Sequence, residues 1–438
     1  MKNIWGLNMS EKSFEIFTTT SDKIDVDENV IAIYYVEPNK ISLLEAGVVI
    51  AAEESIGTWT EVTTATEWLI KNLSAKVFEV NKLNGGGIIK IAFPLELFDY
   101  EVGGIPNLLS IVAGNLFGSG KLNNVRLLDL SFPKEFVKAF KGPKFGIEGI
   151  RKLIGTTTTR RPHIGTIIKP KVGLSPRETA KVAYEAAIGG VDFIKDDETL
   201  SNQKFCPLED RVSHVAEALD KVKEETGRTV LYAPCITAET YKIPELADIA
   251  IENGANALMI DFLTAGFSAI RVLAEDNSIN VPIHCHRTMH AAMTRNPKHG
   301  ISMKVLAKLV RLAGGDQLHT GTAVGKMGGI HKNVKEIIEI NNWLRSEYYG
   351  LKTVFPVASG GIHPAIVSKN LSILGTDIVI QAGGGIHGHP WGSRAGATAM
   401  RQAVEAFMKG ISIEKYAETH KELKKALEKW GYMFAEKT

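Results

Sequence analysis

Several strand-like runs in this sequence end in residues able to do acid–base, metal and phosphate chemistry. One run closes on Lys169-Pro170-Lys171 and another on Lys195-Asp196-Asp197-Glu198. A third carries His284, His286, Arg287 and His290, and a fourth ends in His319, with Lys326 following in the glycine-flanked stretch GTAVGKMGG. Two more finish in Ser359-Gly360-Gly361 and Gly383-Gly384-Gly385, with His387 and His389 beyond. Asp197 and Glu198 are hard oxygen donors of the kind Mg²⁺ prefers, and two carboxylates leave room for a further anion and for substrate oxygens. Glycine-rich strand ends free backbone N–H groups for a phosphate, and Arg287 with His319 could form a second phosphate site. Two phosphate sites flanking a metal imply a substrate phosphorylated at both ends. Lys169, Lys171 and Lys326 could supply protons or stabilise developing negative charge. Taken alone, each motif has a plainer reading: a solvated strand end, a turn, or, for His284, a core histidine. The His-x-His pair has no further Cys or acidic ligand at zinc spacing. The residues by themselves lead to metal-assisted enolisation of a sugar bisphosphate or a similar compound.

The elements that must hold these groups alternate regularly. From about Pro162 to Gly410, eight short apolar runs (HIGTIIKPK, VDFIKDD, TVLYAPCIT, ALMIDFLT, PIHCHRTMH, DQLHTGT, TVFPVASGG and DIVIQAGGG) are separated by amphipathic stretches such as SPRETAKVAYEAAIGG and PLEDRVSHVAEALDKVKEETG. Strands buried on both faces read as continuous apolar runs, and repeated βα units force a parallel sheet. Eight such units predict a (β/α)₈ TIM barrel over 146–410, whose active site forms at the C-terminal ends of the strands. Residues 1–145 predict a separate α+β domain with a mostly antiparallel sheet. Its strands are IAIYYVEP, LEAGVVIAAEES, KVFEVNKL, GGIIKIAFP and RLLDLSFP, and PNLLSIVAGNLF is a helix packed on them. Residues 411–438 read as a charged helical tail, solvated or capping.

The bulk composition excludes several function classes. The chain has 438 residues, 44% hydrophobic and 23% charged, with a formal net charge of +2, so a polyanion-binding surface for nucleic acid is not expected. Three cysteines, Cys206, Cys235 and Cys285, without a CxxC, argue against a disulfide framework. No signal peptide or membrane span is legible, which makes cytoplasmic localisation the expectation.

The segments GTIIKPKVGLS, GGVDFIKDDETLSNQKF, HCHRTMHAA, HTGTAVGKMGG, PVASGGIH and QAGGGIHGHPWG, preceded by AAEESIGTWTEV and AGNLFG, occur in an order that resembles the ribulose-1,5-bisphosphate carboxylase/oxygenase (RuBisCO) large-subunit family over nearly the whole chain. FVKAFKGPKFGIEGIRKLI and HRTMHAAMTRNPKHGISM resemble its archaeal, form III branch. The resemblance implies enolisation of ribulose 1,5-bisphosphate, addition of CO₂ or O₂, and cleavage to 3-phosphoglycerate, in salvage of nucleotide ribose. It implies one Mg²⁺ per site, held by Lys195 carbamylated by CO₂, Asp197 and Glu198. Lys169 would shuttle protons, Lys171 would tune that chemistry, and His286 would assist proton transfer. Lys326 would stabilise the incoming CO₂. Ser359 would bond a substrate hydroxyl. One phosphate would rest on Gly361, Gly383, Gly384, Thr58 and Trp59, with Gly360 in the same strand end, and the other on Arg287 and His319. Glu53 and Asn115 would reach the site of a partner subunit, Glu53 pairing with Lys326, in a homodimer or an assembly of dimers. The sequence departs from the plant pattern at Ile167, where Thr is usual, and at Met327-Gly328-Gly329, where Leu-Glu-Gly is usual. A RuBisCO-like enolase or isomerase acting on a related sugar phosphate, and a non-enzymatic phosphate-binding barrel, are the competing expectations.

Overall fold

The computed structural model describes residues 11–58, 63–325, 330 and 332–431. They form two compact units. One runs to Phe140 and includes Met289–Leu309; the other holds Lys141–Thr288 and the chain from Val310 onward.

The first unit is built on strands β1 (Asn29–Pro38), β2 (Lys76–Leu83), β3 (Gly86–Pro94) and β4 (Leu122–Ser131), ordered β4-β1-β3-β2 and antiparallel throughout. Asn84-Gly85 joins β2 to β3 as a two-residue turn, and Gly85 takes the left-handed φ of +82° that such turns demand. The helix Gly104–Val112 covers the first part of the segment expected to be helical, which then leaves the helix and ends in a short 3-10 turn at Leu116–Gly118.

One element differs from expectation. LEAGVVIAAE is the helix Leu43–Glu53, not a strand. Its Val48-Val49-Ile50 run has strand character, but Ser42 and Glu45 form a capping box that satisfies the first free N–H groups of a helix. The buried residues Leu43, Ala46, Gly47, Ile50 and Ala51 then recur at helical spacing. Gly47 admits close packing, since a Cβ there would lie 3.2 Å from Ile89 and Val77.

The second unit is a closed ring of eight parallel strands, β5 (His163–Ile167), β6 (Phe193–Lys195), β7 (Leu231–Ala233), β8 (Leu258–Asp261), β9 (Ile283–His286), β11 (Gln317–His319), β12 (Phe355–Ser359) and β13 (Val379–Gln381). β10 (Gly300–Ile301) lies between β9 and β11 in sequence but pairs in parallel with β4 in the other sheet. A parallel bridge between Cys235 and Met259 closes the ring between β7 and β8. The intervening helices carry the punctuation read from the sequence. Ser175 and Glu178 cap Pro176–Ile188, and Gly227, at φ +69°, ends Leu208–Thr226.

At the N-terminal end of the ring, Ile147 and Ile150 of the helix Gly146–Ile154 pack with Phe193, Leu231, Phe355 and Val379, the first residues of β6, β7, β12 and β13. Asp316 accepts the N–H groups of Phe145 and Gly146 at 2.7 and 2.8 Å, fixing that helix. The tail folds as Ile413–Ala417 and Lys421–Trp430, and it buries Leu423 and Ala426 rather than standing free in solvent. No helix among the described residues is long and apolar enough to cross a membrane.

Candidate active site

β6 ends at Lys195, and the hydrogen-bond partners of the residues that follow sort the KDDE segment into two jobs. Asp196 turns into the protein, accepting from Arg211 Nε at 2.9 Å, Tyr232 OH at 2.8 Å and the Cys235 N–H at 3.1 Å. Lys195, Asp197 and Glu198 are left to face the rim. Lys195 is fully buried, with Nζ 2.9 Å from the Asp196 carbonyl and 3.4 Å from Glu198 Oε2. Lys169 reaches across from the end of β5 to Asp197 Oδ2 at 2.7 Å, and Thr199 donates to Asp197 Oδ1 at 2.8 Å. Burial alone would raise both carboxyls. The Lys169 ammonium and the Thr199 hydroxyl outweigh it at Asp197, and Lys195 and His286 outweigh it at Glu198, so both stay below the usual carboxylate range.

Asp261, the last residue of β8, was missed in the sequence. Its Oδ1 lies 3.1 Å from Nδ1 of His286, whose Nε2 is 3.7 Å from Glu198 Oε2. A carboxylate on Nδ1 holds the proton there and leaves Nε2 as the free acceptor in the neutral ring. The signal available was position alone, an acidic residue at the C-terminal end of a barrel strand.

A buried chain of hydrogen bonds crosses the far side of the rim. His284 Nδ1 lies 2.7 Å from Gln317 Oε1, His284 Nε2 lies 2.8 Å from His319 Nε2, and His319 Nδ1 lies 2.7 Å from Ser359 Oγ. Burial drives both rings well below the ordinary histidine pKa, so both are neutral. With Gln317 Oε1 accepting, each ring donates in one direction and the Ser359 hydroxyl donates to His319. The oxygen of Ser359 is then an acceptor toward the mouth. Both nitrogens of His319 are engaged by protein groups in this arrangement. Arg287 donates to the Thr320 carbonyl at 2.9 Å, and burial lowers its pKa to about 10, which leaves it charged at neutrality.

The glycines of β12 and β13 fall at the same rim. Gly360 and Gly361 take φ of +118° and +71°, which explains the residue type there. Gly383 passes beside Lys169, whose Cε would be 3.2 Å from an added Cβ. Gly384 has no positive φ and open space where a Cβ would stand, so nothing in the fold requires glycine. A ligand approaching the backbone would. Lys171 is exposed on the loop after β5. His387, also unassigned in the sequence, sits behind this loop with Nε2 3.0 Å from Thr166 Oγ1 and Nδ1 2.9 Å from Ser393 Oγ.

Lys169, Lys195, Asp197, Glu198 and His286 are thus brought together, and Ser359 joins His319. In the first unit, Glu53, Thr58 and Asn115 are all exposed. Trp59, Lys326 and the Met327-Gly328 segment lie outside the described residues.

Two family descriptions match the chain. "Ribulose bisphosphate carboxylase large chain, N-terminal domain" covers residues 19–136, and "Ribulose bisphosphate carboxylase large chain, catalytic domain" covers 146–430. The ribulose bisphosphate carboxylase of Methanocaldococcus jannaschii is 50% identical over 397 residues, which is 87% of this chain and 92% of that one. That of Pyrococcus abyssi is 46% identical, covering 93% and 94%. Among solved structures, the octameric Rubisco of Pyrococcus horikoshii in complex with sulfate superposes with a TM-score of 0.90 at 44% identity, over 96% of this chain and 97% of that one. The dimeric archaeal Rubisco of Hyperthermus butylicus gives 0.87 at 40% identity, over 96% and 99%. With both of its sequence regions matched and its relatives covered almost end to end, the chain belongs to the ribulose bisphosphate carboxylase large chain family.

Proposed function

We propose that this protein is an archaeal-type ribulose-1,5-bisphosphate carboxylase/oxygenase, working in salvage of nucleotide ribose in the cytoplasm. The buried, unbridged state of Cys206, Cys235 and Cys285 supports a reducing compartment. The observation that carries the reading is the placement of Lys195. No group of three His, Cys, Asp or Glu side chains among the described residues could hold a metal. Two carboxylates do meet at Asp197 and Glu198, and the amine beside them is a buried lysine 3.4 Å from Glu198. Carbamylation of Lys195 by CO₂ supplies the missing anionic oxygens at that point, so the residues present fit Mg²⁺. When bound there, Mg²⁺ would supply Lewis-acid polarisation of the substrate carbonyl.

The remaining roles fall to side chains. Lys169 moves the proton during enolisation and later protonates the product carbanion, and Lys171 tunes it. His286, with Asp261 fixing its tautomer, accepts a substrate proton through Nε2. Ser359 accepts a hydrogen bond from a substrate hydroxyl. The backbones of Gly360, Gly361, Gly383 and Gly384, with Thr58 and Trp59, bind one phosphate; open space at Gly384 supports this cradle. Arg287 and His319 bind the other, and His319 must then give up one of its two protein partners. Lys326 stabilises the incoming CO₂.

The domains we assign are 1–145, which completes the site of a partner subunit, the catalytic barrel 146–410, whose segment Met289–Leu309 groups with the first compact unit, and the tail 411–438. Exposure of Glu53, Thr58 and Asn115 supports their facing a second chain in a homodimer or an assembly of dimers.

Incubation with Mg²⁺, ribulose 1,5-bisphosphate and labelled CO₂ should yield labelled 3-phosphoglycerate. Lys195→Ala should lose activation by CO₂ and Mg²⁺. Proton exchange at the substrate carbon without labelled product would instead identify a RuBisCO-like enolase.

A further inference from the structure

Glu53 and Glu54 end one helix but point apart. Glu53 is exposed, whereas Glu54 is buried at 5% exposure. Glu54 Oε2 accepts the N–H of Gly114 at 3.0 Å, from a turn 60 residues further along the chain. The N–H groups of Asn115 and Leu116 face the same carboxylate. Glycine is needed for this approach, because a Cβ at position 114 would lie 2.7 Å from Oε2. Below the contact, buried Tyr34 on β1 donates to the carbonyl of Val112 at 2.7 Å and fixes the start of the turn. The turn itself carries Asn115, which is exposed. One buried carboxylate therefore joins the chain beside Glu53 to the chain beside Asn115.

The chemistry of this contact is unusual for a purely structural group. The titratable groups facing Glu54 are Glu53 on its own helix and Tyr34 on β1, and neither is a cation. Oε1 is buried without a hydrogen-bond partner among the described residues. Burial raises the carboxyl to about 7, so the fold resists its charge. A neutral side chain would serve packing better.

We infer that Glu54 is a positioning residue that holds Glu53 and Asn115 side by side for the substrate. The inference rests on the assignment of those two residues above. Glu54→Ala should lower kcat/KM for ribulose 1,5-bisphosphate by roughly tenfold, with the fold retained, because misplacing positioned groups costs rate without touching the chemistry. In an Asn115→Ala background the same substitution should cost less than about twofold, since it would act through a residue already removed. Glu54→Gln, a neutral isostere of the protonated acid with one fewer strong acceptor for these N–H groups, should show at every pH the lowered kcat/KM that the wild type shows below about 7. In pre-activated wild-type enzyme, kcat/KM should fall as pH drops through about 7, where Glu54 takes up a proton, and the Gln variant should lack that step.

Wild-type kcat/KM in Glu54→Ala, or a full tenfold cost in the Asn115→Ala background, overturns the inference while Glu53 and Asn115 keep their roles. Silent Glu53→Ala and Asn115→Ala variants would overturn the assignment itself, and the inference with it. Should Glu54→Ala fail to fold, identical pH profiles for wild type and Glu54→Gln overturn it.

Discussion

Lys169 holds its ammonium nitrogen 2.7 Å from Oδ2 of Asp197, so one of the two carboxylates proposed for magnesium already carries a cation. The two cations compete for one anion. A partly exposed ion pair of this kind contributes up to about 1 kcal/mol. Lys169→Ala should therefore tighten Mg²⁺ binding by up to roughly fivefold while abolishing turnover. Titration with Mn²⁺ followed by electron paramagnetic resonance, at saturating CO₂, reads the affinity. Unchanged or weaker binding would show that Lys169 and the metal do not share Asp197.

Asp261 is expected to matter through His286 alone. Asp261→Asn keeps the shape but can present an N–H to Nδ1 and so stabilise the other tautomer. kcat should drop by about 10²-fold or more, with KM for ribulose 1,5-bisphosphate little altered. Steady-state kinetics separate the two constants, and a change confined to KM would assign Asp261 to substrate binding.

Asp196 is expected to matter to stability. Arg211 and Asp196 form a fully buried pair, and Tyr232 and the Cys235 N–H complete its bonding. Removing one partner strands a buried charge, so Asp196→Ala should cost roughly 3–5 kcal/mol. Replacing both with apolar residues of similar volume should cost less. Chemical denaturation of the single and double variants tests the pair, and a single variant as stable as wild type would contradict its buried, bonded state.

The proposed sharing of the site between chains predicts complementation. Glu53→Ala and Lys195→Ala are each expected to be inactive. In a random mixture about half the dimers are mixed, and each mixed dimer has one site with both native residues, so roughly a quarter of wild-type activity should return. Background activity, with mixed dimers confirmed by mass spectrometry, would mean that each chain completes its own site.

The eight barrel strands and the polar residues gathered at their ends were legible because both leave marks in the local sequence. Buried parallel strands are continuous apolar runs, and the groups proposed for catalysis follow them directly. Residues 43–53 misled because Val-Val-Ile suits a strand, whereas the Ser42–Glu45 cap that decides the matter is a feature of two polar residues. Asp261 was hidden because its meaning depends on His286, 25 residues away and on the adjacent strand. The division of labour between Asp196 and Asp197 depends on where Arg211 and Lys169 lie, and both are remote in sequence. Gln317 and His284 acquire a role only through a hydrogen-bond chain spanning β9, β11 and β12.

The pairing of β10 with β4 has a consequence for how the protein is made. The edge of the first sheet, and the lysines Lys304 and Lys308 that meet Asp129 on β4, come from residues about 170 positions beyond that strand. At roughly 5–20 residues per second on the ribosome, β4 waits on the order of ten to thirty seconds for its neighbour. During that interval the nascent chain carries an unpaired strand edge while the first half of the barrel emerges behind it. The first unit therefore cannot be completed until Lys141–Thr288 of the second have been made.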